Sequence, residues 1–471
     1  MFYNLSCNQS EKIIELIDSK NYEGIFKLES IFSGYYETKE DVFFFRDALG
    51  VAPLYYRIIN KNINISISIT DLIVRNDKIN KQGALSFISF GNTRILPLID
   101  DINICPPGTI VKFNKKLGST KLLFKYKIKP RNLNKLNNFQ LLEEYKKIFL
   151  NSISKNQINK KKIIFLSGGI DSACIALSDD NISDSLTFLP WGDTSTEKKY
   201  AEENAKISKI KNQKFLSVDE NMLNKNMPEL LKKYGGPLGS IHYLVIDHAF
   251  SNNFLDNYQT LCFGQNLDTL SCSAGAQGTS VILPGFIRNI IFKEKNIVNF
   301  FLKRNSGSLS EINYEIISKF IDEDYSDYQK IILSGIYITH TPIDSEYFVL
   351  PSLINNKKIF NPYYDLELVE FFLGLKKKIY VDLSKNTWKF PFKIDKLLQK
   401  KLWFELSNHR ELQPKKGFYL SKKYKPINNL IQSFPEYVEN KPLKIENQKF
   451  AAQSLIDLCN EYNIKNTLYI K

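Results

Sequence analysis

Hydrophobic and polar positions alternate in short runs through about the first 125 residues. The strand-like runs, each bounded by turn residues, are VFFFRD (42–47), PLYYRII (53–59), INISISIT (63–70), TIVKFN (109–114) and LLFKYKI (122–128). Such runs are typical of antiparallel strands. The pattern predicts an α+β antiparallel sandwich as an N-terminal domain over residues 1–130.

A polar stretch, KPRNLNKLNNFQ (129–140), separates this region from a helical pattern, LLEEYKKIFLNSI (141–153). From Lys162 onward, buried-strand runs alternate with helical segments. The strand runs are KIIFL, SLTFLP, KFLSV and TLCFG, and the helical segments are ACIALS and TEKKYAEENAKISKI. This alternation favours an α/β doubly wound parallel sheet. A second domain is therefore predicted over residues 141–471.

Beyond about Val281 the helical patterns dominate the chain. The clearest are IVNFFLKR (297–304), EIISKFID (315–322) and LELVEFFLGL (366–375). They predict a helical C-terminal cap on the parallel sheet.

Composition excludes several classes of protein. The net charge of +14 comes from lysines spread along the whole chain, so a nucleic-acid partner is not favoured. The six cysteines include no CxxC pair and the four histidines have no ligand-like spacing, which argues against a disulfide framework and a zinc site. The first residues are too polar for a signal peptide, and no apolar run approaches the roughly 18 residues that span a bilayer. We expect a cytoplasmic protein without a membrane partner.

The segment SGGIDS follows a buried strand and precedes a helix, and this arrangement can cradle an anion. The amides of Gly168 and Gly169 can approach a pyrophosphate, the hydroxyls of Ser167 and Ser172 can donate to it, and the carboxylate of Asp171 can hold Mg²⁺. The alternative is a tight turn followed by a helix cap. Because GxxxxGK[ST] is absent, cleavage of ATP between the α- and β-phosphates fits better than transfer of the γ-phosphate.

SGGIDS resembles the pyrophosphate loop of the N-type ATP pyrophosphatases, which include asparagine synthetase, GMP synthetase, NAD synthetase and tRNA-modifying enzymes. RDALGVAPLYY (46–56) and PPGT (106–109) look like segments of class II glutamine amidotransferase domains, which only the asparagine synthetase branch fuses ahead of such a loop. Further matches to that branch are EKKYA (197–201), FGQNLDTL (263–270), NPYYDLELVE (361–370) and QPKKGF (413–418). The resemblance covers roughly residues 30–420.

The members of this family include asparagine synthetase, β-lactam and carbapenam synthetases and lasso-peptide macrolactam cyclases. All of them activate a carboxylate as an acyl-adenylate. The resemblance therefore implies an ATP-dependent carboxylate–amine ligase that releases AMP and pyrophosphate, with ATP and Mg²⁺ as cofactors. Its partners would be a small-molecule or peptide carboxylate and an amine, and a homodimer is one candidate assembly. An intramolecular reaction of the β-lactam or macrolactam type is included.

The resemblance also assigns roles to single residues. Asp171 and Asp268 resemble the pair of acids that coordinates Mg²⁺ on the nucleotide. Gly264, in the matching FGQNLDTL segment, joins the loop in the ATP-binding set. Lys415 looks like the catalytic lysine that meets the charge developing on the adenylate and on the tetrahedral intermediate. The adjacent Lys416 leaves this alignment open by one residue.

The sequence departs from the family at three places. The family's glutaminase nucleophile is a cysteine that directly follows the initiator methionine, whereas this chain begins Met1-Phe2. We therefore expect no glutaminase activity and an ordinary role for Cys7. Gln265 stands where asparagine synthetases carry Glu and β-lactam synthetases carry Tyr, and a neutral amide cannot act as a general base. Gln413 replaces the arginine of the family's Arg-Pro-Lys.

Three alternatives stay open. The nearest is amidation of the asparagine synthetase type with free ammonia. The second is a tRNA-modifying ATP pyrophosphatase, although no cysteine pair is placed for sulfur transfer. The third is a degenerate scaffold without catalysis. The acyl substrate and its amine are not identified by any motif.

Overall fold

The structure is a computed structural model of the 471-residue chain. It describes residues 1–155, 161–189, 195–217, 227–240, 242–271, 321, 324–338, 340–376, 396–408, 437–438, 441–442 and 446–465.

The N-terminal region is built on two antiparallel sheets. Its strands are β1 (Phe2–Tyr3), β2 (Ser33–Glu37), β3 (Asp41–Arg46), β4 (Tyr55–Ile59), β5 (Asn62–Ser66), β6 (Ile102–Ile104), β7 (Thr109–Asn114) and β8 (Ser119–Lys125). The five-stranded sheet has the order β1-β2-β3-β7-β8, and the three-stranded sheet has the order β5-β4-β6. All pairs are antiparallel, which confirms the antiparallel region predicted from the alternating runs.

Three α-helices and one 3₁₀-helix accompany these sheets. They are α1 (Cys7–Asp18), α2 (Tyr22–Ile25), the 3₁₀-helix Ile69–Leu72 and α3 (Lys81–Phe90). The alternating pattern did not predict α1, although the sequence carries a start signal for it. Ser6 and Gln9 form a capping box, in which the side chain of each bonds the backbone N–H of the other. Helix α1 packs on the outer face of the larger sheet, where Ile13, Ile17 and Phe45 are buried together.

A five-stranded parallel sheet follows, as the alternating strand and helix patterns predicted. Its strands are β9 (Lys162–Phe165), β10 (Asp184–Leu189), β11 (Asn212–Ser217), β12 (Thr260–Cys262) and β13 (Lys358–Phe360), in the order β11-β10-β9-β12-β13. Every neighbouring pair is parallel. The chain builds outward from β9 in one direction through β10 and β11, and in the other through β12 and β13. In doubly wound proteins the ligand-binding crevice lies where the strand order reverses, which here is at the carboxyl ends of β9 and β12.

Helices cover this sheet. Those up to residue 270 are α4 (Asn138–Lys155), α5 (Ile170–Ser178), α6 (Ser195–Ile207), α7 (Met227–Tyr234), α8 (His242–Ser251) and α9 (Leu267–Leu270). The later ones are α10 (Asp327–Tyr337), α11 (His340–Asp344), a π-helix (Ser345–Val349), α12 (Leu350–Ile354), a 3₁₀-helix (Pro362–Tyr364), α13 (Leu366–Gly374), α14 (Leu397–Ser407) and α15 (Glu446–Glu461). Strands β14 (Tyr437–Val438) and β15 (Lys441–Pro442) pair antiparallel.

The C-terminal third corrects and confirms parts of the sequence analysis. LELVEFFLGL forms α13 as expected, but the same third also supplies β13, a strand that the helical patterns did not predict. Three residues are too short to show a strand period. IVNFFLKR and, apart from Ile321, the run EIISKFID lie outside the described residues. Among the helices that the structure describes, none is both long and apolar enough to cross a membrane.

A buried ion pair ties the N-terminal region to the π-helix. Arg94 Nε donates to Glu346 Oε1 at 3.0 Å, and the two side chains are only 1% and 5% exposed. Tyr243 donates its hydroxyl to Glu346 Oε2 at 3.0 Å. The Arg94 guanidinium and the Ser345 hydroxyl also donate to the same carbonyl, that of Val51. Arg94 and Glu346 are 252 positions apart in the sequence, and Ser345 and Val51 are 294 positions apart.

The first residues contact the outer strand of the parallel sheet. Asn4 Nδ2 donates to the carbonyl of Ile359 at 3.3 Å and to that of Ile31 at 2.8 Å. In return, the Ile359 N–H donates to Asn4 Oδ1 at 2.7 Å. The Asn4 side chain thus bonds β13 as a neighbouring strand would.

Candidate active site

The SGGIDS segment joins the end of β9 to the start of α5. Gly169 is the N-cap residue of α5 and has an extended backbone, and Asp171 and Ser172 lie in the first turn of the helix. The loop therefore lies at the crevice beside the reversal of the strand order. A helix start at this position directs backbone N–H groups and a partial positive charge toward the crevice.

The polar atoms of the loop bond one another and one carboxylate. The Ser167 N–H donates to Ser172 Oγ at 3.1 Å, and the Gly169 N–H donates to Ser167 Oγ at 3.1 Å. The Gly168 N–H donates to Glu197 Oε1, from α6, at 2.7 Å. A negatively charged oxygen thus already lies on one of the amides that the sequence analysis assigned to phosphate. This position of the loop favours an anionic oxygen.

Two glycines of the site lie so close to neighbouring residues that a Cβ atom would not fit. Neither has a positive φ, so close packing and not backbone conformation accounts for them. A Cβ on Gly168 would lie 2.8 Å from Cβ of Tyr200. A Cβ on Gly264, which follows β12, would lie 2.8 Å from the backbone N of Ser172 and 3.2 Å from the backbone carbonyl carbon of Asp171. Gly264 thereby allows the end of β12 to contact the start of α5, which brings the two predicted metal-binding acids into one place.

The carboxylates of Asp171 and Asp268 converge on a single point, which the ammonium group of Lys396 occupies. Lys396 Nζ contacts Asp171 Oδ2 and lies 2.5 Å from Asp268 Oδ1. Asp171 is 8% exposed, whereas the Asp268 side chain is 40% exposed and reaches solvent. Burial by itself would lower the pKa of the Lys396 amine, but the two carboxylates outweigh it and hold that pKa above its usual value.

A chain of buried hydrogen bonds fixes α14, which begins directly after Lys396, against the loop. Tyr145 donates its hydroxyl to Gln399 Oε1, and Gln399 Nε2 donates to the Tyr363 hydroxyl at 2.7 Å. Tyr363 donates in turn to the backbone carbonyl of Asp171 at 2.9 Å. Lys396 itself has a left-handed backbone with φ of 55°. The position of the Lys396 backbone is therefore set by the surrounding structure.

The two acids fit a Mg²⁺ ion that arrives with phosphate ligands. Asp171 Oδ1 is buried and has no hydrogen-bond partner, so one more carboxylate oxygen at this place can accept a ligand. Within the described ranges, no cluster of three or more Asp, Glu, His or Cys side chains could hold a metal without other ligands. Mg²⁺ is usually bound by one or two carboxylates together with substrate phosphates and water. The carboxylates of Asp171 and Asp268 fit this mode of binding.

Helix α11 lies beside the same crevice. Thr341 Oγ1 donates to Asn266 Oδ1 at 2.8 Å, and Asn266 Nδ2 donates to the carbonyl of Tyr363 at 2.7 Å. These bonds hold α11 next to the segment that carries Asp268. The backbone carbonyl of Gln265 accepts a bond from Asn361 Nδ2 at 3.0 Å.

Asp344, at the end of α11, has an altered acidity. Removal from water raises the pKa of its carboxyl to about 7, the hydrogen bond from the Tyr347 hydroxyl lowers it, and the charge of Asp268 raises it. His340, one turn earlier, has a pKa that burial lowers to about 4. Asp344 thus combines a pKa near neutrality with an electrostatic interaction with Asp268.

Two residues of this site, Lys396 and Asp344, were not predicted from the sequence. Lys415 lies outside the described residues, as do Gln413 and Lys416. Cys7 is exposed and is the first residue of α1. Lys396 stands among several lysines and Asp344 belongs to no motif, so neither position carries a local signal.

Comparisons with known proteins add no assignment. No protein-family model matches the chain, and no match to a curated protein was found.

Proposed function

We propose that this protein is an ATP-dependent carboxylate–amine ligase, which forms an amide through an acyl-adenylate and releases AMP and pyrophosphate. The observation that carries the proposal is the convergence of Asp171 and Asp268 with Lys396 beside the SGG loop. Amide donors, two metal-binding carboxylates and a lysine together suit a pyrophosphate leaving group. A function that involves no phosphate ligand would give these amides, carboxylates and lysine no common role.

In the first step, a carboxylate oxygen of the substrate attacks the α-phosphorus of ATP, and the bond from that phosphorus to the bridging oxygen of pyrophosphate breaks. The amides of Gly168 and Gly169 and the hydroxyls of Ser167 and Ser172 hold the β- and γ-phosphates. Mg²⁺, held by Asp171 and Asp268, supplies charge neutralisation on the triphosphate when bound. Binding of the β- and γ-phosphates requires the Glu197 carboxylate to leave the Gly168 amide.

In the second step, the amine attacks the acyl carbon, AMP leaves, and the nitrogen loses a proton. Gln265 cannot accept that proton. The charge of Asp344 interacts with that of Asp268, and a group with a pKa near 7 is present in part as a base at neutral pH and still binds a proton well. We assign this role to Asp344. Lys415 would meet the charge on the tetrahedral intermediate.

The proposal extends to the domain organisation. It assigns residues 1–130 to an amidotransferase-like sandwich without glutaminase activity, and 141–471 to the adenylating domain with its helical cap. The amine is supplied by the acyl substrate itself or by a second molecule.

Exchange of radiolabelled pyrophosphate into ATP tests the adenylation step. The purified chain would be incubated with Mg·ATP, labelled pyrophosphate and a panel of carboxylic acids that includes α- and β-amino acids and short peptides. We expect one class of acid to support exchange. Asp171→Asn and Asp268→Asn should each lower it at least about a hundredfold, since each removes a charged metal ligand. Hydroxylamine should trap the same acyl group as a hydroxamate.

The exposed Asp180, in the turn after α5, offers a matched control. Asp180→Asn should exchange at the wild-type rate. Full exchange by Asp171→Asn, with an unchanged unfolding temperature, would contradict the assigned site. If no acid supports exchange and the wild-type protein does not bind Mg·α,β-methylene-ATP, the protein is a scaffold instead.

A further inference from the structure

Lys396 occupies the place that a divalent cation needs. Its Nζ lies 2.5 Å from Asp268 Oδ1 and in contact with Asp171 Oδ2. A Mg²⁺ ion takes carboxylate oxygens at about 2.0–2.1 Å. The same pair of oxygens cannot bind the ammonium group and the ion at these distances. A metal ion that binds these two oxygens must therefore displace Lys396.

Displacement leaves the ammonium group without a counter-ion unless the incoming ligand supplies one. The Lys396 side chain is only 9% exposed. The backbone of Lys396 is held by α14, and α14 is held by the bonds from Gln399 to Tyr363 and from Tyr363 to Asp171. A buried ammonium group without an anion is unfavourable. The free metal ion brings no anion, whereas a metal–nucleotide complex brings a triphosphate.

We propose that Lys396 makes this site selective for the metal–nucleotide complex over the free metal ion. Without nucleotide, its ammonium group neutralises Asp171 and Asp268 and keeps divalent cations out. When Mg·ATP enters, the carboxylates would bind the metal ion and the ammonium group would form an ion pair with the phosphates. The inference rests on the proposed function, because it takes these two acids as the metal ligands.

The arrangement of acids supports this order of binding. Two carboxylates converge on Lys396 Nζ, and within the described residues no group of three or more Asp, Glu, His or Cys side chains could hold a metal ion. Asp171 Oδ1 is buried and unpaired, so a second oxygen of the same carboxylate awaits a ligand. Two carboxylates alone are a weak site for a hard cation, and phosphate oxygens complete it. Lys396 increases the difference in affinity between the metal–nucleotide complex and the free ion, because its ammonium group competes for the carboxylates only when phosphate is absent.

Mn²⁺ titration followed by electron paramagnetic resonance tests the proposal without measuring activity. Mn²⁺ prefers the same oxygen ligands as Mg²⁺. The full chain should bind Mn²⁺ at this site when ATP is present and not detectably when it is absent. Lys396→Met should bind Mn²⁺ without ATP at least about tenfold more tightly than the wild type, because the competing charge is gone. Lys396→Gln serves as a second variant if the first folds poorly.

Lys400→Met is the matched control, since Lys400 lies in the first turn of α14, four residues after Lys396. It should bind Mn²⁺ as the wild type does. In Lys396→Met/Asp268→Asn the new affinity should be lost, which locates the bound ion at the two acids. Circular dichroism would show whether each variant is folded.

Two results would overturn the inference. The first is tight Mn²⁺ binding at this site by the wild type without ATP. The second is an unchanged Mn²⁺ affinity in both folded Lys396 variants. Either result leaves pyrophosphate exchange, and with it the ligase proposal, unaffected. Conversely, absent exchange with the expected Mn²⁺ pattern would reject adenylation and retain the selectivity of the site for metal–nucleotide.

Discussion

Replacing Glu346 by Gln should strongly destabilise the fold, because it leaves a buried charge without its partner. The Glu346 carboxylate accepts bonds from Arg94 Nε, Thr93 Oγ1 and the Tyr243 hydroxyl, each at 3.0 Å. The side chains of Arg94 and Glu346 are 1% and 5% exposed, so water cannot solvate the arginine that remains. Removing one partner of a buried pair costs about 3–5 kcal/mol. Gln keeps the hydrogen-bonding shape and Arg94 also donates to Val51, so we expect about 3 kcal/mol.

The assay is urea unfolding followed by both circular dichroism and tryptophan fluorescence. The exposed pair Lys12–Glu15, with side chains 53% and 65% exposed, supplies the control. Glu15→Gln should change the free energy of unfolding by less than about 0.5 kcal/mol. A double-mutant cycle with Arg94→Met and Glu346→Leu should give a coupling energy of about 2 kcal/mol. A loss below about 1 kcal/mol in Glu346→Gln, or additive effects in the cycle, would refute the reasoning.

Two further predictions concern the crevice. A Cβ at Gly264 would lie 2.8 Å from a backbone atom where ordinary contact begins at 3.4 Å, so Gly264→Ala must separate the two backbones by about 0.6 Å. We expect Gly264→Ala to bind Mg·α,β-methylene-ATP about tenfold more weakly in calorimetry, because small misplacements at such sites are costly. In the control Gly24→Ala the added Cβ meets only side-chain atoms, so this variant should bind the nucleotide normally. Equal binding by both variants would refute the argument. The folded pKa of Asp344, about 7, lies above the ordinary value of 3.8, so the wild type should lose stability relative to Asp344→Asn as the pH rises from about 4 to about 7. Unfolding temperatures measured across that range check this, and a constant difference between the two proteins would contradict the raised pKa.

Local features of the chain were predictable and tertiary ones were not. The loop from Ser167 to Ser172 could be located because a buried strand, a glycine turn and a helix start each leave a signal in neighbouring residues. The antiparallel runs and the parallel alternation were predicted for the same reason. Gly264 and Asp268 were named only through a resemblance to other ligases, and the structure supplies the contact that explains the glycine.

Lys396 lies 225 positions from Asp171, and nothing in the intervening pattern indicates that the two meet. The acidity of Asp344 arises from burial, which depends on packing by elements distant in sequence. Strand β13 was missed because its three residues show no period. Helix α1 is different, since its capping box stands in the sequence and predicts the helix start.

The bonds between Asn4 and Ile359 have a consequence for synthesis of the chain on the ribosome. They span 355 positions, and β13 is the last strand of the parallel sheet to be made. The bonds from Asn4 to Ile359 therefore cannot form until about three quarters of the chain has been made, although Asn4 can bond Ile31 much earlier, and contacts of such separation form slowly. Once formed, they cover part of an outer strand whose free N–H and C=O groups could otherwise pair with another nascent chain. This edge of the sheet is thus covered only late in synthesis, and an exposed strand edge before that point favours association with other chains.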